Sequence, residues 1–233
     1  RVVIFAAGLG VPFFSTDTAA AGDIVVAAYA GHIRYNPLDC PVGTAAAACP
    51  GTASAGTGGF TYGDYAHISP SGSEEHADGE IWAETLWDLR NRLGSKLTES
   101  LVTRGMELSP PEPSFLDMRN SILQADLVDF DGSHRTTIWQ VFAHRGMGYF
   151  ASAVDGDDLQ PVEDFSMPPT GKPKGSLNGT VTDQDTSRPI EGVIVQFGGH
   201  NSGFTGTLAD LTDKKGKYEI DDIFPGAYPK VAA

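Results

Sequence analysis

Residues 74–93 read EEHADGEIWAETLWDLRNRL. From Glu80 onward two interleaved sets of side chains recur at helical spacing, Ile81, Thr85 and Leu89 in one and Trp82, Leu86 and Leu93 in the other. Gly94 follows and stops such a helix at little steric cost. Ahead of the apolar stripe stand His76, Asp78 and Gly79, so the pattern predicts an imidazole close to a helix start.

The same periodicity continues downstream. Thr98 to Leu108 presents Leu101, Val102, Met106 and Leu108. Pro110, Pro111 and Pro113 forbid helix after it, because proline removes an amide donor and clashes with the preceding turn. Ser114, with Asp117 three residues on, reads as an N-cap before the apolar face of Phe115, Met118, Ile122 and Leu123. Ser133 reads as the cap of a last helix holding Ile138, Val141 and Phe142, closed by Gly146. Four helices with short joints predict an orthogonal helical subdomain over residues 76–150.

On either side the composition changes. Residues 1–75 are rich in Gly, Ala and Thr and irregular, with short candidate segments at Val2 to Ala7, Ile24 to Tyr29 and Phe60 to Tyr65. Residues 154–173 are rich in Asp, Pro and Gly and read as a linker. Beyond them, Leu177 to Thr182, Val193 to Phe197, Lys217 to Ile220 and Ala227 to Val231 are strand candidates. Turns fall at Asp213 to Gly216 and at Pro225-Gly226. That spacing predicts a small β-sandwich over residues 174–233, ending at Ala233 ahead of its final strand. The expected organisation is an α+β multidomain chain, 1–153, linker 154–173, then 174–233. Arg1 in place of an initiator Met suggests a start within a longer protein.

Of 233 residues, 40% are hydrophobic, enough for a core. Asp and Glu number 30 against 16 Lys and Arg, a net charge of −14. Nucleic acids and anionic membranes select basic patches, so this balance argues against both as partners. No apolar run reaches the roughly 18–20 residues of a membrane span. The two cysteines, Cys40 and Cys49, fit a disulfide in an oxidising compartment or two free thiols; spacing does not choose.

Three segments together carry a family resemblance: EEHADGEIWAETLWDLR at 74–90, LVTRGMELSPPEPSFLDMRNSILQAD at 101–126, and IWQVFAHRGMGYFA at 138–151. In this order they resemble the fungalysin (M36) zinc metallopeptidases. The resemblance implies the mainly helical C-terminal half of a thermolysin-like zincin, part of a secreted endopeptidase that hydrolyses protein peptide bonds with metal-activated water. The family's zinc site is HExxH on one helix plus a later Glu. Two His on one helical face place two imidazole nitrogens on the metal, and the adjacent Glu serves as general base. None of His32, His67, His76, His134, His144 and His200 is followed by Glu with a second His four residues on. The zinc of the parent enzyme is therefore expected on an N-terminal part outside this sequence, which is then itself a partner, and this chain alone is expected to be inactive. The alternative is a non-catalytic binding or structural module derived from the family.

The resemblance also assigns roles. His76 stands where these enzymes place the His that hydrogen-bonds the oxyanion, with Asp78 or Glu75 as candidates to orient its ring. Ser71 occupies the distance at which relatives carry an orienting Asp. Arg34, in GHIRYNP at 31–37, resembles the Arg that reaches a substrate carbonyl, a task suited to a planar guanidinium. Without the resemblance, a His at a helix start is more often a cap or surface residue, and Arg34 a salt-bridge partner. Glu80 and Glu84 read as a solvated face, and Asp88, Arg90, Asp117, Arg119 and Arg145 as structural ion pairs and caps. Trp82, Trp87 and Trp139 suit core packing. Asp155, Asp157 and Asp158 read as solvated linker before calcium ligands. Asn178-Gly179-Thr180 is a glycosylation sequon by letter. GTVTDQDTSRPIEGVIVQF at 179–197, TDKKGKY at 212–218 and PGAY at 225–228 resemble carboxypeptidase-regulatory-like (transthyretin-like) sandwiches, which specify a fold better than a function.

Overall fold

The computed structural model describes residues 35–44, 47–173, 175–201 and 207–233. Arg34, Val2 to Ala7 and Ile24 to Tyr29 lie outside them. Four helices appear where the periodicity places them: α1 Glu75–Leu93, α2 Ser95–Leu108, α3 Phe115–Phe130 and α4 Arg135–His144. Helix α1 starts one turn earlier than its apolar stripe, so His76 sits within the first turn. Gly94, at φ 84°, ends it. Ser114 caps α3, and Asp117 reaches back to the Ser114 amide to close a capping box. Helix α4 is capped differently from expectation. Asp126 accepts from the His134 amide and pairs with its ring, whereas Ser133 bonds to the Phe130 carbonyl.

Helix α3 is the centre of this unit. Every residue from Phe115 to Asp126 except Asp117 is buried, the pattern of a helix covered on all sides. It approaches α2 closely at Gly105, where an added Cβ would lie 3.0 Å from Ile122 Cγ1. Trp82 of α1 stacks between Phe115 and Phe142 at ring-centroid distances of 5.5 and 5.6 Å. Trp82 and Trp139 are core residues, and Trp87 lies half-buried under the Arg90 guanidinium.

The first part of the stretch expected as a linker, as far as Ser166, is paired to this unit. Ser152 and Val162 exchange backbone hydrogen bonds, Asp164 pairs with Gly146 and Gly148, and Glu163 accepts from Thr61 Oγ1 and the Gly63 amide. Asp158, expected solvated, receives Lys230 Nζ at 2.5 Å. Asp and Pro made the segment look unstructured, but backbone donors and carboxylates satisfy one another across it.

The described residues of 175–233 form two antiparallel sheets. One pairs β1 (Gly175–Thr180) with β4 (Lys217–Ile223), and the other has the order β3-β2-β5 from β2 (Ile194–Phe197), β3 (Ala209–Leu211) and β5 (Val231–Ala232). Both contribute to one small core, with Val195 and Phe197 from β2, Ile220 from β4, and Leu208. Strand β3 had no sequence signal beyond three residues. This unit meets the helical one through the Gly198-Gly199-His200 turn. Arg119 Nη2 and Asn120 Nδ2 donate to the Gly199 carbonyl, and His200 lies edge-on between Tyr149 and Tyr228. Gly199 has φ 81° and stands where a Cβ would come within 2.6 Å of Leu116, so the turn admits only glycine.

Candidate active site wall

His76 is the second residue of α1, and its side chain is 35% exposed. Its Nδ1 lies 2.8 Å from Oε1 of Glu74, the residue that caps the helix. The other oxygen of the same carboxylate, Oε2, accepts from the Ala77 amide at 2.9 Å. Burial alone would raise the Glu74 carboxyl, but hydrogen bonds from the His76 ring and the Ala77 and His76 amides hold it below its usual range. Glu75 Oε1 is 3.8 Å from the same ring nitrogen, and its side chain is largely exposed.

Asp78 does not reach the ring as its direct partner. Its Oδ1 accepts from the Ala66 amide, and its Oδ2 from Ser73 Oγ and the Glu74 amide. Burial pushes its carboxyl up against those three donors. Its part is to fasten the loop of residues 66–74, and so the backbone of the residue that holds His76. Tyr65, whose hydroxyl is pushed up to about 12 by burial and then by Asp78, lines the same loop. Ser71 offers no carboxylate, and its amide donates to Ser69 Oγ. Glu74 escaped the sequence reading because Glu is a poor cap on average, and nothing in its letter shows that it would face the ring.

Farther along α1, Glu80 and Glu84 are not a solvated face. Each is 1% exposed. Glu80 accepts from the Tyr35 and Asn36 amides at 2.7 and 2.9 Å. Glu84 accepts from the Phe60 amide at 2.7 Å and from Arg145 Nη1 at 2.5 Å. Burial pushes its carboxyl up to about 8, against Arg145 and the Phe60 amide. Arg145, fully buried, also donates to Asp88 and to the carbonyls of Phe60 and Cys40. Asp88 and Arg145 are structural ion-pair residues, as expected, but Asp88 pairs with Arg145 and not with its sequence neighbour Arg90. Cys40 and Cys49 form a disulfide, closing the loop that these carboxylates hold against α1.

Residues 52–151 match the model of the fungalysin metallopeptidases (M36). The chain is 32% identical over 125 residues to the extracellular metalloproteinase mep of Aspergillus terreus and 34% over 115 residues to that of Aspergillus flavus. It is 35% identical over 99 residues to extracellular metalloproteinase 3 of Trichophyton soudanense. These matches cover 45%, 39% and 34% of this chain, but only 19%, 18% and 25% of the three relatives. The stretch that builds α1 to α4 is thus related in sequence to M36 metallopeptidases, and it includes both His76 and Glu74.

The zinc that such a family implies can be tested against the residues present. Among the described residues, Glu74, Glu75 and His76 bring three ligand-type atoms within 4.8 Å of one another. They are consecutive, and Glu74 and His76 are already spent on each other and on the helix cap. This does not fit a catalytic zinc, which takes two imidazoles from one helical face plus a carboxylate. Among the described residues no helix is long and apolar enough to cross a membrane.

Proposed function

We propose that residues 52–151 form the wall facing the metal in the cleft of a secreted zinc endopeptidase of the M36 kind. The zinc ligands and general base belong to sequence outside this chain, and the substrate is a protein or peptide. His76 supports this reading best. It is a half-exposed imidazole, held at Nδ1 by a carboxylate, inside the stretch that matches the family. In that role the ring would donate to the oxygen on which negative charge gathers as the peptide carbonyl becomes tetrahedral. A fixed donor aimed at developing charge is worth about 100- to 1,000-fold in kcat.

Arg34 enters as a substrate-carbonyl ligand on the sequence resemblance alone. Asp78 serves by holding the loop under Glu74. We infer that residues 174–233 are a carboxypeptidase-regulatory-like sandwich appended to the peptidase.

The test is hydrolysis of casein by the longer protein that includes this chain, with and without a chelator, for the parent and for His76→Ala. Chelation should abolish activity, and the variant should lose about 100-fold in kcat or more. Activity that survives chelation, or a loss under about fivefold in the variant, would overturn the reading. An upstream sequence without HExxH would favour the non-catalytic alternative.

A further inference from the structure

We propose that Asn178 is a modification site, the attachment point of an N-linked oligosaccharide beside the free edge of the β unit; this rests on the extracellular part of the reading above. Asn178-Gly179-Thr180 is the one Asn-x-Ser/Thr triplet in the sequence. It falls on strand β1, where successive side chains alternate between two faces. Leu177 and Gly179 face inward, and Tyr218 crosses so close over Gly179 that an added Cβ would lie 2.6 Å from its hydroxyl. Asn178 and Thr180 share the opposite face, and both are exposed. Their cross-strand partners on β4 are Glu219 and Lys217, also exposed, so this face is polar and solvated. Among the described residues the Asn178 carboxamide has no hydrogen-bond partner, so a sugar attached there displaces no contact.

The same placement gives the modification a use. Among the described residues β1 pairs only with β4, which leaves its other edge without a ladder. Unpaired strand amides and carbonyls are a template for a second chain, and sheets blunt such edges with charge, proline, bulges or cover. Strand β1, GSLNGT, carries no charge and no proline, and its shift of register lies at the far end, between Gly175 and Leu177. A hydrated oligosaccharide on Asn178 covers the remaining edge and keeps it soluble. The step is a glycosyl transfer. Asn178 Nδ2 bonds to the anomeric carbon of an oligosaccharide carried on a lipid diphosphate. The bond from that carbon to the diphosphate oxygen breaks, and the lipid diphosphate leaves with the bonding electrons. Nδ2 gives up one proton to the transferase, which selects its acceptor by the hydroxyl of Thr180.

The longer protein that includes this chain, made in a fungal host and collected from the medium, tests the assignment. Mass spectrometry of the intact peptide that contains Asn178 reads the modification. Casein hydrolysis with and without a chelator, and light scattering at rising concentration, are read on the same samples. The peptide should carry an oligosaccharide mass that an N-glycan amidase removes. Thr180→Ala keeps Asn178 and should abolish that mass, whereas Thr180→Ser should retain it in part. Asn178→Gln should stay bare and hydrolyse casein within about twofold of the parent, as a surface substitution far from the site does. It should also scatter more light than the parent, through association along the uncovered edge. An exported, chelator-sensitive enzyme whose Asn178 peptide is bare, or an oligosaccharide that persists in Thr180→Ala, overturns this inference alone. Equal scattering from Asn178→Gln and the parent overturns the covering role. Protein that stays inside the cell, unmodified, overturns the inference together with the extracellular reading.

Discussion

Arg145→Met tests whether the buried ionic cluster on α1 organises the irregular chain before it. The substitution keeps the aliphatic bulk and removes the charge. It leaves the Glu84 and Asp88 carboxylates and the carbonyls of Phe60 and Cys40 without their shared donor. Breaking a buried pair from one side costs about 3–5 kcal/mol, because the remaining groups stay desolvated. In a chain of this size each kcal/mol moves the midpoint by roughly 2–4 °C, so the thermal midpoint should fall by about 10 °C. Urea unfolding followed by tryptophan fluorescence reads the change, since Trp82 and Trp139 are buried in the same core. Glu84→Gln retains an acceptor for the Phe60 amide, and the double variant with Arg145→Met should fall short of the summed losses by about 1–3 kcal/mol. An Arg145→Met loss below about 1 kcal/mol, or strict additivity, would show that the loop does not depend on this cluster.

Burial, and then the nearby Arg119 charge, lower the His200 imidazole from 6.5 to about 3. Its contribution is complete above pH 6.5 and is lost as pH falls from there toward 3, by at most about 1.4 kcal/mol per pH unit. Urea midpoints taken from pH 7 to pH 4 should drop, and His200→Phe should flatten that slope; an equal slope in both proteins refutes the assignment. Reducing Cys40–Cys49 should cost about 2–3 kcal/mol through the freed loop, read as a lower melting temperature with a phosphine reductant. Ser114→Ala should cost about 1 kcal/mol by uncapping α3, and a neutral result in thermal melts would deny the capping box its weight.

The helices were legible because their signals are local. Apolar periodicity, the proline run after Leu108, Gly94 and the Ser114–Asp117 pair each act within a few residues of the element they define. The groups that hold the site were not. Arg119 reaches Gly199 across 80 positions and Arg145 reaches Cys40 across 105, and no spacing rule connects such partners. Glu80 and Glu84 were misread because an acid on a helix is usually solvated. Only the loop amides that fill their lone pairs reveal them as core. Residues 154–166 deceived for a related reason: their polar composition suggested a free linker, while their carboxylates were committed to backbone donors in the same fold. His76 was singled out through resemblance, and only the fold shows Glu74 beside its ring.

Glu80, Glu84 and Asp88 stand at successive i, i+4 positions along α1, a row of like charges that would destabilise an isolated helix. The row is tolerable here because the preceding chain needs acceptors as much as the row needs donors. Residues 35–60 are rich in small and polar side chains, and the described ones form little regular structure, so many of their amides lack a ladder to join. The carboxylates of α1 take the Tyr35, Asn36 and Phe60 amides, and Arg145 takes the Cys40 and Phe60 carbonyls. Two liabilities therefore cancel, and the loop is held in register with the helix that presents His76. Because Glu80 is one turn from His76, a substitution there should disturb both the loop and the reach of the site. A change at Asp88, three turns along, should be felt mainly as stability.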